Sequence, residues 1–182
     1  MKLSIRNVLL SIICVVMVVG GVSGCAASPA KSTGMTVRDA KIQKQHPYSV
    51  KIVVEGGSST DPLGFTPVSN EAFAEAVANS IIGLKLFSEV RNDGGGDYLL
   101  SIQIFSIEQQ PIGFNLTTYV EVGWSLVDVV TGKRVMRKII NSSYTATAGE
   151  AFAGVKRIRL ATEGAARKNI EEGIQEIAKL DL

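Results

Sequence analysis

Hydrophobic residues along the chain follow two periods, and each change of period marks an element. Between Ser49 and Gly56 the apolar positions Val50, Ile52 and Val54 alternate with others, the period of a strand. The stretch GGSSTDPLGFTP then breaks the pattern with turn-forming residues and reads as a long loop. From Asn70 the spacing changes: Phe73, Val77, Ile81 and Leu84 recur at steps of four, four and three. That spacing predicts one apolar face of a helix over residues 70–85, capped by Ser69 or Asn70, with Glu71 in its first turn. Gly83 stands where such a helix would fray or stop.

Alternation then returns in three longer runs. Residues 97–108 place Tyr98, Leu100, Ile102 and Ile104 on one face. Residues 116–129 set Leu116, Val120, Val122, Trp124 and Leu126 against Thr117, Tyr119, Glu121 and Ser125. Residues 133–147 alternate weakly, Val135 and Ile139 against Met136, Ile140 and Tyr144. LFSEV, after the first helix, is a candidate short strand, and NDGGGD is a turn or loop. From about Val155 to Leu180 a helical stripe of Ile158, Ala161, Ala165, Ile170, Ile174 and Ile177 closes the chain. The order β-α-β-β-β-α with short connections implies an α+β, two-layer domain. An antiparallel sheet of about four strands packs two helices on one face and leaves the other wet.

The amino terminus follows neither period. Lys2 and Arg6 precede VLLSIICVVMVV, residues 8–19, apolar apart from one serine, and small residues follow. Twelve residues are too few for a membrane-spanning helix of about 20, so the layout is that of a secretory signal. Its end, Val22-Ser23-Gly24-Cys25, resembles the bacterial lipobox. That resemblance implies cleavage after Gly24, a diacylglyceryl group on the Cys25 sulfur and acylation of the new amino terminus. Each buried CH₂ contributes ~0.8 kcal/mol, so two or three chains on one residue hold where one chain alone would not. Ala26 stands where an aspartate would favour retention in the inner membrane of enterobacteria, which points to the outer membrane. The expected organisation is a signal peptide over 1–24, a lipidated tether over 25–46 and a single periplasmic domain over 47–182. The tether, poor in large apolar groups, would reach ~70 Å fully extended and roughly 25 Å as a coil, unless Met35 to Ile42 packs on the domain instead.

Composition then removes whole classes of chemistry. Without the signal peptide, seventeen basic residues face seventeen acidic ones, so the basic excess that nucleic acid demands is missing. The mature chain keeps one cysteine, the acylated one, which excludes an internal disulfide and a thiolate site. Its one histidine, His46, precedes a proline and reads as a solvated linker residue. With no Gly-x-Ser-x-Gly elbow and no second histidine a hydrolase triad has nothing to stand on. Glu171 and Glu172 are neighbours on a helix and point apart, whereas a glycosidase pair faces across a cleft. The three glycines of NDGGGD lead into a strand, not into the lysine and helix of a phosphate loop. The expectation is a protein without catalysis, cofactor or metal, whose only added group is the lipid on Cys25.

Two surface features remain. Lys156, Arg157, Arg159, Arg167 and Lys168 precede or lie on the last helix, and Lys133, Arg134, Arg137 and Lys138 lie on the last strand. They read first as ordinary surface charge balanced by Glu150, Glu163, Glu171 and Glu172; placed side by side, they would instead offer a surface to anionic glycan, headgroups or an acidic partner. Phe65, Phe114 and Phe152 each sit in a glycine-flanked loop. Such aromatics either plug the end of a sheet or form a binding rim rich in partner anchors.

The phrases EGGSSTDPLG, SNEAFAEAVANSI, LFSEV, DYLLSIQIFSIEQQPIG and GEAFAGVKRIRLATEGAARKNI together resemble a group of small, uncharacterised bacterial lipoproteins. More loosely, residues 48–180 look like the YajG-type and transport-auxiliary lipoproteins of proteobacterial envelopes. The resemblance implies a fold and a compartment and transfers no functional residue. It leaves two roles open: an adaptor or assembly accessory binding another envelope component, or a carrier of lipid or glycan. The adaptor calls for an exposed aromatic patch on one rim, the carrier for an apolar groove between helices and sheet.

Overall fold

Each run of alternation becomes a strand in the computed structural model, which describes residues 28–57, 66–110 and 112–182. The elements are α1 (Ser32–Met35), β1 (His46–Glu55), α2 (Asn70–Leu84), β2 (Phe87–Arg91), β3 (Tyr98–Gln110), β4 (Leu116–Asp128), β5 (Arg134–Ala146) and α3 (Gly154–Ile177). One five-stranded sheet has the order β2-β1-β3-β4-β5. The helices cover one face, giving the expected two-layer α+β domain. The sheet is mixed: LFSEV forms β2, parallel to β1, and β1 is parallel to β3 as well. Parallel neighbours need a crossover, and α2 supplies it between β1 and β2. The link from β2 to β3 instead passes over β1, because Val50 pairs with Val90 on one side and with Tyr98 on the other. Gly96 makes that passage; a Cβ there would sit 3.1 Å from the Lys51 backbone nitrogen.

Ser69 is the cap of α2, its hydroxyl accepting the Ala72 N–H at 3.1 Å. Asn70 turns away and accepts the Gly57 N–H at 2.7 Å, tying the loop after β1 to the helix start. The helix runs through Gly83 and stops at Lys85, which takes the left-handed conformation at φ 55°. There the Leu86 N–H reaches back to the Ile81 carbonyl at 3.0 Å, the closing bond of a Schellman turn.

The last helix, α3, holds the layers together. All six stripe residues named from the sequence are buried. Between them, Gly173 lies under the Trp124 ring and Gly164 under the Tyr144 ring; a Cβ at Gly173 would come within 2.6 Å of the indole. The Trp124 Nε1–H donates to Asn169 Oδ1 at 3.0 Å. The Asn169 amide nitrogen donates to the Ile140 carbonyl at 2.9 Å and to Ser142 Oγ at 3.2 Å. Because an indole can only donate, this bond also fixes which way the Asn169 amide points.

The expected tether is shorter than its composition implied. Met35 and Val37 are buried between α2 and α3, and the Val37 N–H donates to Ser80 Oγ at 2.8 Å. The Ala30 N–H donates to the Pro67 carbonyl at 3.0 Å, and the Lys31 N–H to Glu163 Oε1 at 3.0 Å. Chain from Ala30 onward therefore belongs to the domain. Two apolar side chains and a set of backbone bonds suffice for this, a signal too sparse to mark an element by period.

His46 is likewise no linker residue. It is buried at the far end of α3, its Nε2 3.0 Å from the Ile177 carbonyl and its ring against Phe87. Burial holds its pKa below the ordinary 6.5, with Lys44 adding to the depression while the Ile177 bond and Asp181 oppose it.

Two outcomes test this packing. Gly173→Ala should destabilise the domain by about 1–3 kcal/mol in denaturant unfolding, because the methyl must displace a buried indole, despite alanine's ~1 kcal/mol advantage in helices. For His46 the fold favours the neutral ring, so stability is full above the unfolded-state value. It falls as pH drops through about 6.5 towards the lower folded value. Urea midpoints measured between about pH 7.5 and 5.5 should decline for the parent chain and flatten for His46→Gln.

Candidate functional site

The uncovered face of the sheet is shaped by one extra residue in β3. Ile104 pairs with Val122, but Ser106 pairs with Glu121, so Phe105 is the additional residue of a β-bulge. Phe105 keeps the outward side that alternation gives it, 54% exposed, with its ring lying on Gly123 of β4, and the bulge shifts the core side from the even positions to the odd ones after it. Beyond Gly123 in the pairing stands Ile139 of β5, 56% exposed. Two apolar side chains thus flank a strand position with no side chain. The result is a shallow depression of about 460 Å³ whose walls include Val53, Gln103, Val127 and Arg137. Its charge is divided: Glu55 lies on the β1 side, Arg134 and Arg137 on β5. Three strand spacings separate the two sides, roughly 14 Å. Alternation alone would continue past Ile104 without a break; the bulge leaves no mark in residue type. After it, Ile107 returns to the core side.

A second feature lies at the end of the sheet where β3 stops and β4 begins. Ile112 and Phe114, in the β3–β4 connection, are 90% and 86% exposed, and Phe152, before α3, is 97% exposed. Arg157 Nη1 donates to the Phe114 carbonyl at 2.9 Å, so the two loops meet there. Neither phenylalanine plugs the sheet. Phe65 and Cys25 lie outside the described residues. Thr66, which follows Phe65, exchanges two bonds with Gln109 at the same end of β3: its N–H donates to Oε1 at 3.0 Å and Nε2 donates to its carbonyl at 2.7 Å.

The two basic groups do not adjoin. The α3 residues run away from the rim, while Arg134 pairs with Val127 at the other end of β4. Several of these cations are occupied. Lys138 pairs with Glu176 at 2.9 Å, Arg167 donates to the Gly34 carbonyl at 3.0 Å, and Lys168 stands over the Tyr144 ring. Two of the perturbed carboxylates, Glu176 and Asp181, are lowered by lysines, and others by turn and strand backbone N–H groups. The backbone N–H and hydroxyl of Ser49 hold Asp97 below its usual range; the Thr147 N–H, Tyr144 and the Thr147 hydroxyl do the same for Glu150. Among the described residues no three His, Cys, Asp or Glu side chains gather where they could hold a metal ion. Among the same residues, no helix is long and apolar enough to cross a membrane.

No protein-family model and no curated sequence matches the chain. Its fold does recur. A protein of family DUF330 from Xanthomonas campestris superposes with a TM-score of 0.62 at 11% identity, over 82% of this chain and 92% of that one. A hypothetical protein from Chlamydia trachomatis gives 0.52 at 7% identity, over 74% and 96%. A putative lipoprotein from Caulobacter crescentus gives 0.49 at 15%, over 71% and 87%. At such identities the likeness to the first two carries the two-layer fold and nothing of a site.

The open face can be tested by contrast with the core. A Cβ at Gly123 would meet the Phe105 ring at 2.8 Å, nearly the distance found at Gly173. Phe105 is free to swing into solvent, so Gly123→Ala should change stability by less than about 1 kcal/mol in the same unfolding assay. A loss as large as that of Gly173→Ala would mean the ring is held.

Proposed function

We propose that the chain is a lipid-anchored, non-catalytic protein of the bacterial envelope that binds another envelope protein as an adaptor or assembly accessory. The lipobox-like Val22-Ser23-Gly24-Cys25 supports the anchor, and Ala26 favours the outer membrane. One observation carries the binding role: Phe105, exposed at the bulge, lies over Gly123 beside Ile139, on a face that no described element covers. A large aromatic set against a gap, with an arginine at its edge, is the composition of an interface centre. Between the layers, Trp124, Phe73, Leu100, Ile170 and their neighbours are fully buried, so the region where a carried acyl chain would lie is filled by side chains. This weighs against the carrier.

A photoreactive residue placed at Phe105, and separately at Ile139, tests the proposal in cells. Both should crosslink to the same envelope protein, identified by mass spectrometry and returning this chain when it is itself the bait. Phe105→Asp should cut the Ile139 crosslink at least about tenfold, the effect of removing an interface anchor. Adducts of lipid or glycan alone would transfer the role to a carrier, and no adduct at either position would remove this face from consideration.

A further inference from the structure

We infer that the loop rim of Ile112, Phe114, Phe152 and Val155 is a membrane-docking edge, seated on the leaflet that holds the acyl chains of Cys25. The inference rests on the lipidation proposed above and adds an orientation to it.

The argument is one of reach. Ala30 is pinned by its bond to Pro67, and Lys31 by its bond to Glu163. Five residue steps separate Cys25 from Ala30, and a chain covers at most ~3.3–3.6 Å per step, so the lipidated cysteine lies within roughly 17 Å of that point. Both anchorages belong to the rim end. Pro67 follows Thr66, which is bonded to Gln109, three residues before Ile112. Glu163 stands nine residues into α3 from Gly154, about 13 Å along its axis at 1.5 Å per residue. The opposite end of the helix is fourteen residues beyond Glu163, about 21 Å away and past the reach of the linker. The linker therefore roots the lipid nearer the rim end than the β4–β5 turn.

The chemistry of the rim suits that contact. Ile112, Phe114 and Phe152 are each at least 86% exposed, and Val155 is 39% exposed. Such exposure of large apolar groups at one end calls for a cover. Lys156 is exposed beside them, and Arg157 crosses between the loops. The neighbouring carboxylate, Glu150, is folded back onto Thr147 and the Tyr144 hydroxyl. Aromatic and aliphatic tips flanked by cations are what the interface of a phospholipid bilayer accepts, to a depth of about 5–10 Å. A shallow insertion beside two or three acyl chains would hold the domain in one attitude, with the open sheet face free for a partner.

The mature chain carries no cysteine besides the blocked Cys25, so one introduced thiol can be labelled uniquely. The acylated mature protein, labelled with an environment-sensitive fluorophore at Phe152→Cys or at Val130→Cys in the far turn, is placed in phosphatidylethanolamine–phosphatidylglycerol vesicles. A share of those vesicles carries a shallow nitroxide quencher on the acyl chain. Emission at position 152 should fall at least about twofold with the quencher, and position 130 should be unaffected, as expected for insertion near the headgroups. Ile112→Asp with Phe114→Asp, in exposed loops where folding is not at stake, should restore emission at 152. Equal, unquenched emission at both positions on vesicle-bound, acylated protein would overturn the inference, as would quenching at 130. The intact mass of the mature chain separates this failure from failure of the lipidation reading: an unacylated Cys25 overturns both, and an acylated one with a dry rim overturns the docking alone.

Discussion

The indole N–H of Trp124 has to find an acceptor inside a layer made almost wholly of hydrocarbon, and the way it does so sets the distance between sheet and helix. A buried donor left alone costs about 1–3 kcal/mol. Asn169 accepts it, and its own amide nitrogen is spent on the Ile140 carbonyl and Ser142. One side chain of α3 thereby grips β4 and β5 together. That grip works only if α3 lies close, and Gly173 and Gly164 leave the space for the Trp124 and Tyr144 rings. The stripe of Ile158, Ala161, Ala165, Ile170, Ile174 and Ile177 is buried on the same side of α3.

Among the described residues, the helices all lie on one face and none covers the other. Stability is decided on the helical side, where Trp124, Leu100, Ile102 and Leu126 are buried. The open side is free to carry residues whose burial the fold does not need. Phe105 and Ile139 are of that kind, and the bulge in β3 lets Ile107 follow Ile104 on the core side with Phe105 left facing out. The rim is exposed for a related reason: the sheet ends at Gln110 and Leu116, and α3 starts beside it, so connections at that end have no layer to fold under. Packing, open face and rim thus follow from one asymmetry.

Much of this was legible in advance. The strands over 97–108, 116–129 and 133–147 and the helices over 70–85 and 155–180 appear within a few residues of their periods, because each buries a face dictated by its own spacing. The three phenylalanines drew attention by their glycine-flanked loops, yet loop chemistry could not say whether they turn in or out. The burial of His46 and the anchoring of residues 30 and 31 have a common cause that spacing does not show. Both depend on Ile177, Glu163 and Pro67, partners many residues away whose positions no local pattern records.

By itself, then, the chain's pattern determined which residues face the core and the order of the main elements, since each is written in spacings of a few residues. Only the tertiary structure decided that β1 runs parallel between β2 and β3, that Phe105 is the extra residue of a bulge, and that the linker after Cys25 is rooted beside the rim. Strand alternation is the same whichever strand lies alongside, and a backbone bond to a distant carbonyl selects no side chain. Those choices come from pairing energies between segments far apart in sequence, which exist only once the chain has closed on itself.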